Sequence, residues 1–285
     1  MDVYTMIAER IITELEQGIV PWHKPWTTTR PAISHTTGKP YSLLNQLLLG
    51  GRSGEYLTFQ QARKEGGHVR KGEKSSIVVF FKFIETEDED TGEIKSVPYL
   101  KYIPVFHIDQ CEGIAPRFIA SQPAMPSTPA QAHEAADRII TDYVQRSGIR
   151  FTHRQSNEAF YRPYTDEVVL PLRSQFSETA EYYSTAFHEL THSTGHPKRL
   201  NRIGNQAHFG SDAYSKEELC AELGASYLVN HVGLESPASF RNNAAYIAHW
   251  LSVLREDKRF IVSAAGKADK AVRLILGEEG TDDDA

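Results

Sequence analysis

The stretch FHELTHSTGH at residues 187–196 constrains the fold more than any other part of this 285-residue chain. Within it, His188, Glu189 and His192 form the pattern H-E-x-x-H. Residues four apart share one face of an α-helix, so a helix here would present both imidazoles to a single metal ion. Glu189 then flanks the open coordination position, where it can act as a general base toward water. The pattern therefore predicts a helix that carries a catalytic metal centre.

The residues before this motif favour the same interpretation. SETAEYYSTAF at 177–187 predicts a helix with Ser177 as its cap, and EVVLP at 167–171 predicts a strand. Metallopeptidases of this kind use such a strand at the rim of the cleft, where it holds an extended substrate by main-chain pairing. The competing interpretation is a solvated helical face that carries histidines without a metal. The preceding helix and strand make this second interpretation the weaker one.

The third metal ligand has three candidates. His196 could bind only through a turn, because Gly195 is expected to end the helix. Glu218 and Glu222 are four residues apart in a predicted helix, SKEELCAELGASYL, and share a face. In the gluzincin arrangement, a glutamate of a second helix binds the metal and a polar residue one turn later supports a ligand histidine. This arrangement assigns Glu218 to the metal and Glu222 to the second shell.

An alternative assignment follows from the start of the same helix. Ser215 and Glu218 also fit a capping box, in which Glu218 would only cap its own helix and Glu222 would become the ligand. We favour Glu218, because the small residues of the AELGAS segment at 221–226 suit close packing against the active-site helix.

The predicted chemistry is metal-assisted hydrolysis, most simply of a peptide bond, with Glu189 as the base. Two histidines and a glutamate suit Zn²⁺ and would also accept another divalent cation such as Mn²⁺. A further donor should stabilise the developing oxyanion. The sequence does not discriminate among Tyr246, His249, Tyr161 and Tyr164 for this role, and Tyr246 is the one we retain as a catalytic candidate.

The length predicts about two domains. Four prolines between residues 115 and 130 indicate a linker, so we expect a first domain over 1–113, a linker over 114–130 and a second domain over 131–285. Helical and strand patterns alternate irregularly in the first domain, while the second is mainly helical, so the predicted fold class is α+β. Apolar runs are too short for a membrane span, and Cys111 and Cys220 suggest no disulfide framework, so we expect a cytoplasmic protein without a membrane partner.

Individual elements are predicted as follows. In the first domain we expect a helix capped by Asp2 and ending near Gln17, a helix over 42–49, a helix after Thr58, strands over 75–85 and 97–108, and a hairpin tip at the acidic stretch 85–93. In the second we expect a helix that starts at Thr128-Pro129, a strand over 166–172, and helices over 178–194, 215–232, 240–257 and 261–276. Pro98 and Pro104 should confine the returning strand to an edge or a bulge.

The charge distribution suggests an anionic partner for the first domain. The chain has a net charge of -6, but residues 22–82 contain ten Lys or Arg against three Glu, a net charge of +7. Aromatic and basic residues interleave in 19–41, and a glycine-rich basic turn follows at 66–74. Single-stranded nucleic acid binders stack bases on aromatic side chains while cations follow the phosphates. The candidate DNA-binding residues are Trp22, Lys24, Trp26, Arg30, Lys39, Tyr41, Arg70, Lys71 and Lys74.

A different interpretation stays open for the same residues. Trp22 and Trp26 could instead pack the first helix onto the strands, and the lysines could be ordinary surface residues.

Several motifs, in order, resemble ArdC-type antirestriction proteins. In the first domain these are PWxxPW at 21–26, Tyr41 with NQLL at 45–48, TFxQA at 58–62, GGxVRKGEKSSxVVFF at 66–81 and VFHIDQ at 105–110. In the second they are HELTHSTGHPKRLNR at 188–202, EELCAELGAS at 217–226, AYIAHWLxxL at 245–254 and AAGKADKA at 264–271.

This resemblance implies an N-terminal domain that binds DNA without sequence specificity, mainly as a single strand, with double-stranded DNA as a further candidate. It also implies a zincin-like metallopeptidase domain with His188, His192 and a helix glutamate as ligands. Proteins of this family travel on mobile elements and protect incoming DNA from host restriction, and conjugation delivers DNA as a single strand. A protein substrate, for which the host restriction system is one candidate source, would be a second partner.

Overall fold

A computed structural model describes residues 2–23, 30–87, 94–118, 126, 128–203, 212–234 and 244–278. Its helices are α1 Val3–Glu16, α2 Leu43–Leu48, α3 Phe59–Lys64, α4 Pro129–Ser147, α5 Thr179–Thr194, α6 Asp212–His231, α7 Ala244–Glu256 and α8 Phe260–Leu276. Its strands are β1 Ala32–Ser34, β2 Gly54–Leu57, β3 His68–Val69, β4 Ser76–Glu87, β5 Ile94–His107, β6 Cys111–Glu112, β7 Arg150–Arg154, β8 Phe160–Arg162 and β9 Glu167–Pro171. The predicted mixture of helices and strands is confirmed.

Local capping chemistry sets three of the helix starts that the sequence predicts, whereas α5 follows Glu178 and lacks the predicted cap from Ser177. The Asp2 carboxylate accepts a hydrogen bond from the Thr5 backbone N–H at the start of α1. Thr58 forms a complete capping box with Gln61 at the start of α3. Thr128 caps α4, whose first residue is Pro129. Asp2, Thr58 and Thr128 accept hydrogen bonds from backbone N–H groups that a helix start leaves without an intrahelical partner. Pro129 has no N–H and so removes one such group.

The N-terminal sheet has the strand order β1-β2-β5-β4, with β4 and β5 forming a long antiparallel hairpin. Pro98 and Pro104 lie inside β5, and the structure explains why they are tolerated. The second neighbour of β5 is β2, which pairs with it only at Phe106 and His107. Both prolines therefore occupy positions where β5 has β4 alone as its partner. Residues 85–87 of the predicted hairpin tip belong to β4 and pair with β5, and residues 88–93 lie outside the described residues.

The second sheet corrects one expectation about substrate binding. β9, which contains EVVLP, is the middle strand, with β7 parallel on one side and β8 antiparallel on the other. Val168 is paired on both sides, to Phe151 and to Tyr161. A strand whose main-chain groups are already paired on both sides cannot add an extended peptide there. The expectation that this strand borders the cleft and pairs with substrate is therefore wrong for its paired positions.

One hydrophobic cluster contains buried residues from both halves of the chain. It includes Ile7 and Leu48 of the N-terminal half together with Leu223 and Ile275 of the C-terminal half. α1 packs on α7, and α2 packs on α8. The Asp269 carboxylate of α8 also accepts a hydrogen bond from the first backbone N–H of α2. The domain boundaries given above stay a prediction. None of the described helices is long and apolar enough to span a membrane.

Candidate metal centre

Close contact between α5 and α6 places the metal-binding motif opposite a glutamate. The buried face of α5 includes Phe187 and Leu190, so the side chains of His188 and His192 lie on a different face of the helix. Gly224 of α6 lies against Thr191, and a Cβ at position 224 would be 2.8 Å from the Thr191 side chain. The missing side chain therefore lets the two helix backbones approach each other closely.

Three side chains converge at this contact. The Nε2 atoms of His188 and His192 are 3.1 Å apart. The Glu218 carboxylate lies 3.6 Å from His188 Nε2 and 3.4 Å from His192 Nε2. Ligand atoms at about 2.0–2.2 Å from a tetrahedral ion are separated by roughly 3.3–3.6 Å. The three side chains therefore fit one divalent metal ion. Within the described part of the chain, they form the cluster of His, Cys, Asp or Glu side chains that could hold a metal.

The structure discriminates between the alternatives for the third ligand. α6 begins at Asp212, so Ser215 and Glu218 lie inside the helix and do not form the capping box at its start. His196 follows the end of α5, and its Nδ1 accepts a hydrogen bond from the Lys198 backbone N–H. Glu218 is thus the glutamate that the fold brings to the two histidines.

A second glutamate supports His192, and the sequence reasoning missed it. Glu217 lies 3.5 Å from the Nδ1 atom of His192, on the side of the ring away from Glu218. Its carboxylate forms a two-point ion pair with Arg202, at 2.8 and 3.2 Å. Burial alone would raise the pKa of Glu217, but the bonds to His192 and Arg202 lower it. A charged carboxylate at this position orients the imidazole.

Charge within the cluster favours a cation. Burial opposes a proton on His192, but the bonds to Glu217 and Glu218 raise its pKa to about 10. Burial likewise raises the pKa of Glu218, yet the two histidines lower it well below its usual range. In the metal-free protein, positive charge on His192 therefore balances two carboxylates, and a metal ion can replace that charge.

Glu222 has a partner that the sequence did not predict. Its carboxylate lies 3.3 Å from the Nε2 atom of His23, a residue of the N-terminal half. It is also close enough to His188 for the histidine's charge to lower the Glu222 pKa, after the larger effects of burial and of His23. The glutamate that contacts the outer nitrogen of a ligand histidine in this structure is Glu217, at His192 Nδ1, and not Glu222. A supporting role of Glu222 toward His188 stays a prediction.

Glu189 and Tyr246 are the two catalytic candidates. Glu189 lies between the ligand histidines in sequence and is 8% exposed. The Tyr246 hydroxyl accepts a hydrogen bond from the Trp22 indole N–H at 3.1 Å. Burial and the nearby charge of Glu222 raise the pKa of Tyr246, so the hydroxyl keeps its proton at neutral pH. The hydroxyl also hydrogen-bonds to Glu222, so donation to an oxyanion requires that this bond is exchanged.

The other oxyanion candidates have different surroundings. Tyr161 donates to Asp166 and contacts Arg199, and Tyr164 is almost fully exposed. His249 is exposed on α7, edge-on to Trp250. Of these four candidates, Tyr246 is therefore the one that lies next to Glu222, one helical turn after the metal ligand Glu218.

The structure corrects the DNA-binding role of Trp22. Its side chain is 1% exposed and packs edge-on against Trp250. A ring that is buried in this way cannot offer a face to a base. The competing interpretation is right that Trp22 is buried, but its partners are Trp250 and Tyr246 of α7 rather than the strands. Lys24 and Trp26 lie outside the described residues. Burial raises the pKa of half-buried Tyr41 to about 12, and its ring lies edge-on to Tyr56.

The basic candidates are more accessible. Lys39, Arg70, Lys71 and Lys74 are exposed, whereas Arg30 is half-buried. The Arg70 guanidinium pairs with Glu73 at 2.8 Å, which neutralises part of its charge.

Exposed aromatic side chains do occur in the N-terminal half, but elsewhere than predicted. Phe59 on α3 is 48% exposed, and the Arg63 guanidinium lies 5.9 Å from its ring centroid. On β5, Tyr99 is 41% and Tyr102 48% exposed. Aromatic residues of short elements look alike in sequence whether they are buried or exposed, so the sequence did not single these out.

Comparisons with known proteins match both halves of the chain. Residues 1–106 match the family described as the N-terminal domain of anti-restriction factor ArdC. Residues 135–267 match the family described as zincin-like metallopeptidase. Two solved structures of the antirestriction ArdC protein from plasmid R388 are similar over almost the whole chain. The metal-free structure is 36% identical, with a TM-score of 0.75 and coverage of 96% of this chain and 97% of that one. The Mn(II)-bound structure is 33% identical, with the same TM-score and coverage of 97% and 98%.

Curated relatives agree with this result. An uncharacterised protein, y4eC of Sinorhizobium fredii, is 32% identical over 94% of this chain and 90% of its own length. A DNA primase TraC of Escherichia coli is 35% identical over 97% of this chain, which spans 27% of that relative's length. Because matches to both domain families and to whole ArdC structures cover the chain in order, the protein belongs to the ArdC antirestriction family and carries a zincin-like domain with a divalent-metal site.

Proposed function

We propose that this protein is a DNA-binding antirestriction factor of a mobile element whose C-terminal half is a metal-dependent peptidase. The observation that carries the peptidase assignment is the convergence of His188, His192 and Glu218 beside Glu189. When bound there, Zn²⁺ or Mn²⁺ would supply Lewis acidity toward a carbonyl and toward water. The proposed substrate is an extended protein segment, for which the host restriction system is one candidate source.

The residues around the ligands have distinct proposed roles. Glu189 accepts the proton of the attacking water and returns it to the leaving amine. Glu217 holds His192 in one orientation through its Nδ1 atom. Tyr246, which keeps its proton, donates a hydrogen bond to the developing oxyanion.

For the N-terminal half we propose a DNA surface on α3 and the turn after β3. α3 lies beside β3, and it presents exposed Phe59, Arg63 and Lys64. Lys71 and Lys74 are exposed in the turn that follows β3. Cations and an aromatic face are the combination that holds single-stranded DNA without reading its sequence. The match of residues 1–106 to the N-terminal domain of an anti-restriction factor and the name of the TraC relative, a DNA primase, support this proposal.

A second candidate function is that of a cytoplasmic metallopeptidase that cleaves a host or DNA-bound protein, with the N-terminal half serving only to recruit it. Buried Glu189 favours this candidate over a purely structural metal site, which would not need a base. The two candidates differ in whether hydrolysis is required for protection of incoming DNA.

Glu189→Gln tests the peptidase assignment. We expect the variant to bind Zn²⁺ with wild-type affinity and to lose hydrolysis of denatured protein substrates, because an amide cannot accept the proton. Glu134→Gln, on the exposed side of α4, is the matched control. Hydrolysis by Glu189→Gln at the wild-type rate would contradict the assignment. If Glu189→Gln still protects unmodified DNA on entry into a restricting host, protection does not need hydrolysis and the second candidate loses its role.

The DNA surface is tested separately with the salt dependence of oligonucleotide binding. We expect Lys71→Ala with Lys74→Ala to reduce the slope of log K against log salt by about 0.7 for each phosphate that the variant no longer neutralises. Phe59→Ala should weaken single-strand binding by about 1–3 kcal/mol. Lys270→Ala, an exposed lysine of α8, should leave both quantities unchanged. A double variant with the wild-type slope would place the DNA elsewhere.

A further inference from the structure

A short segment of the N-terminal half reaches α6 and α7 beside the metal ligands. Trp22 is buried there, with its indole N–H bonded to the Tyr246 hydroxyl at 3.1 Å. Its ring lies edge-on to Trp250, 6.3 Å between centroids. The Ser226 hydroxyl of α6 donates to the Trp22 carbonyl oxygen. These contacts fix the backbone at Trp22, and therefore the start of the next side chain, against the C-terminal half.

The next residue, His23, contacts Glu222. Its Nε2 atom lies 3.3 Å from Glu222 Oε2, and both side chains are largely buried. The ring also stacks on Tyr246, with centroids 5.5 Å apart and planes 22° apart. The stacking fixes the plane of the imidazole, so that its Nε2 points at the carboxylate. Two independent contacts thus determine where His23 places its hydrogen bond.

The position of Glu222 gives this hydrogen bond its significance. Glu222 is one helical turn after Glu218 on α6, and the two carboxylates repel each other. Burial alone would raise the pKa of Glu222, but the hydrogen bond to His23 and the charge of His188 lower it. The Tyr246 hydroxyl also hydrogen-bonds to Glu222, so His23 and Tyr246 hold this carboxylate together. Without the bond to His23, the carboxylate would be free to turn toward the nearest cation.

We propose that His23 is a positioning residue of the metal centre, which holds the Glu222 carboxylate in place one helical turn from the ligand Glu218. The metal centre is then completed by both halves of the chain. This inference rests on the proposed ligand set. Residues that orient or support metal ligands from outside typically contribute 10–100-fold in metal affinity.

Two substitutions of His23 separate its hydrogen bond from its packing. His23→Phe keeps a ring that can stack on Tyr246 but has no donor. His23→Gln loses the ring but keeps an N–H that can reach Glu222. We expect His23→Phe to weaken Zn²⁺ binding to the full-length protein by about tenfold and His23→Gln to restore most of that affinity. His68→Phe, at an exposed histidine of the same half, should bind Zn²⁺ as wild type does.

The measurements are a chelator competition for Zn²⁺ and the visible spectrum of the Co²⁺-loaded protein, since Zn²⁺ itself is d¹⁰. Loss of the Glu222 orientation should shift the Co²⁺ spectrum in His23→Phe but not in His23→Gln. In a Glu222→Gln background, His23→Phe should have no further effect on affinity. Thermal unfolding without metal reports whether each variant is folded.

The possible outcomes are distinguishable. Unchanged or tighter Zn²⁺ binding by His23→Phe would overturn the inference, as would an equal reduction of affinity in His23→Phe and His23→Gln. A wild-type protein that binds no Zn²⁺ would instead overturn the proposed ligand set.

Discussion

Replacement of Gly224 by alanine should separate the two helices that form the metal centre. A Cβ at this position would lie 2.8 Å from both Cγ2 and Oγ1 of Thr191. Thr191 is fully buried, and its hydroxyl donates to the Phe187 carbonyl oxygen at 2.7 Å. A β-branched side chain in a helix has few alternative rotamers, so Thr191 cannot turn away cheaply. The clash must instead be relieved by movement of α6 relative to α5.

The size of the effect follows from two opposing contributions. Unstrained carbon contacts are about 3.5–4.0 Å, so the helices must separate by roughly 1 Å. Alanine gains about 1 kcal/mol over glycine inside a helix, whereas overpacking costs about 1–3 kcal/mol. We therefore expect the free energy of unfolding to fall by between about 0 and 2 kcal/mol. A shift of about 1 Å exceeds the roughly 0.5 Å tolerance of a metal site, so Zn²⁺ affinity should fall by roughly tenfold or more.

Denaturant unfolding of the metal-free protein and a Zn²⁺ competition titration measure the two quantities. Gly266→Ala is the matched control, because Gly266 is an exposed residue inside α8 and a Cβ there would meet nothing within 4 Å. This control should gain up to about 1 kcal/mol and keep its Zn²⁺ affinity. Thr191→Ala removes both clashing atoms and should restore the affinity of Gly224→Ala. If Gly224→Ala is as stable as the control and binds Zn²⁺ normally, the close helix contact does not position Glu218.

Three further predictions concern the same centre. Metal must displace the proton of His192, whose pKa is raised to about 10, so apparent Zn²⁺ affinity should rise about tenfold per pH unit between pH 6 and 8; a flat profile would contradict this. Glu217→Gln should weaken Zn²⁺ binding by about 10–100-fold, and an affinity equal to that of Glu134→Gln would exclude the support of His192. Zn²⁺ at about 100 times its Kd should stabilise the fold by about 2.7 kcal/mol, seen as a higher Tm that a chelator reverses and that His188→Ala with His192→Ala abolishes.

Features with a local cause could be predicted from the sequence. The caps at Asp2, Thr58 and Thr128 depend on hydrogen bonds within three residues, so the local sequence determines them. The same holds for His188 and His192, whose shared face follows from helical periodicity alone. Glu218 could be predicted because the small residues of its helix favour close packing against the helix of the two histidines. The contact of Gly224 with Thr191 is such a close contact.

Features that depend on tertiary contacts could not be predicted. The partner of Trp22 is Tyr246, 224 residues away, and no periodic pattern in PWHKPW distinguishes a buried ring from an exposed one. The same limit applies to His23 and Glu222, which are 199 residues apart. Glu217 was missed for another reason. Its neighbour Glu218 was sufficient to complete the expected ligand set. The partner that orients Glu217, Arg202, lies after the end of α5, where the sequence shows no pattern that links the two residues.

The contacts between the halves have a consequence for function. α1 packs on α7, which carries Tyr246, and α2 takes a cap from Asp269 of α8 because Ser42 makes no side-chain bond at its start. A displacement of the N-terminal helices would therefore move α7 and α8, because the packed contacts between them have little room to deform. If the protein binds DNA as proposed, and if bound DNA changes the affinity of the metal centre through these contacts, bound metal must change the affinity for DNA by the same factor, since coupling between two binding sites is reciprocal. Loading of the metal centre would then depend on whether the protein is bound to incoming DNA, which would restrict hydrolysis to proteins near that DNA.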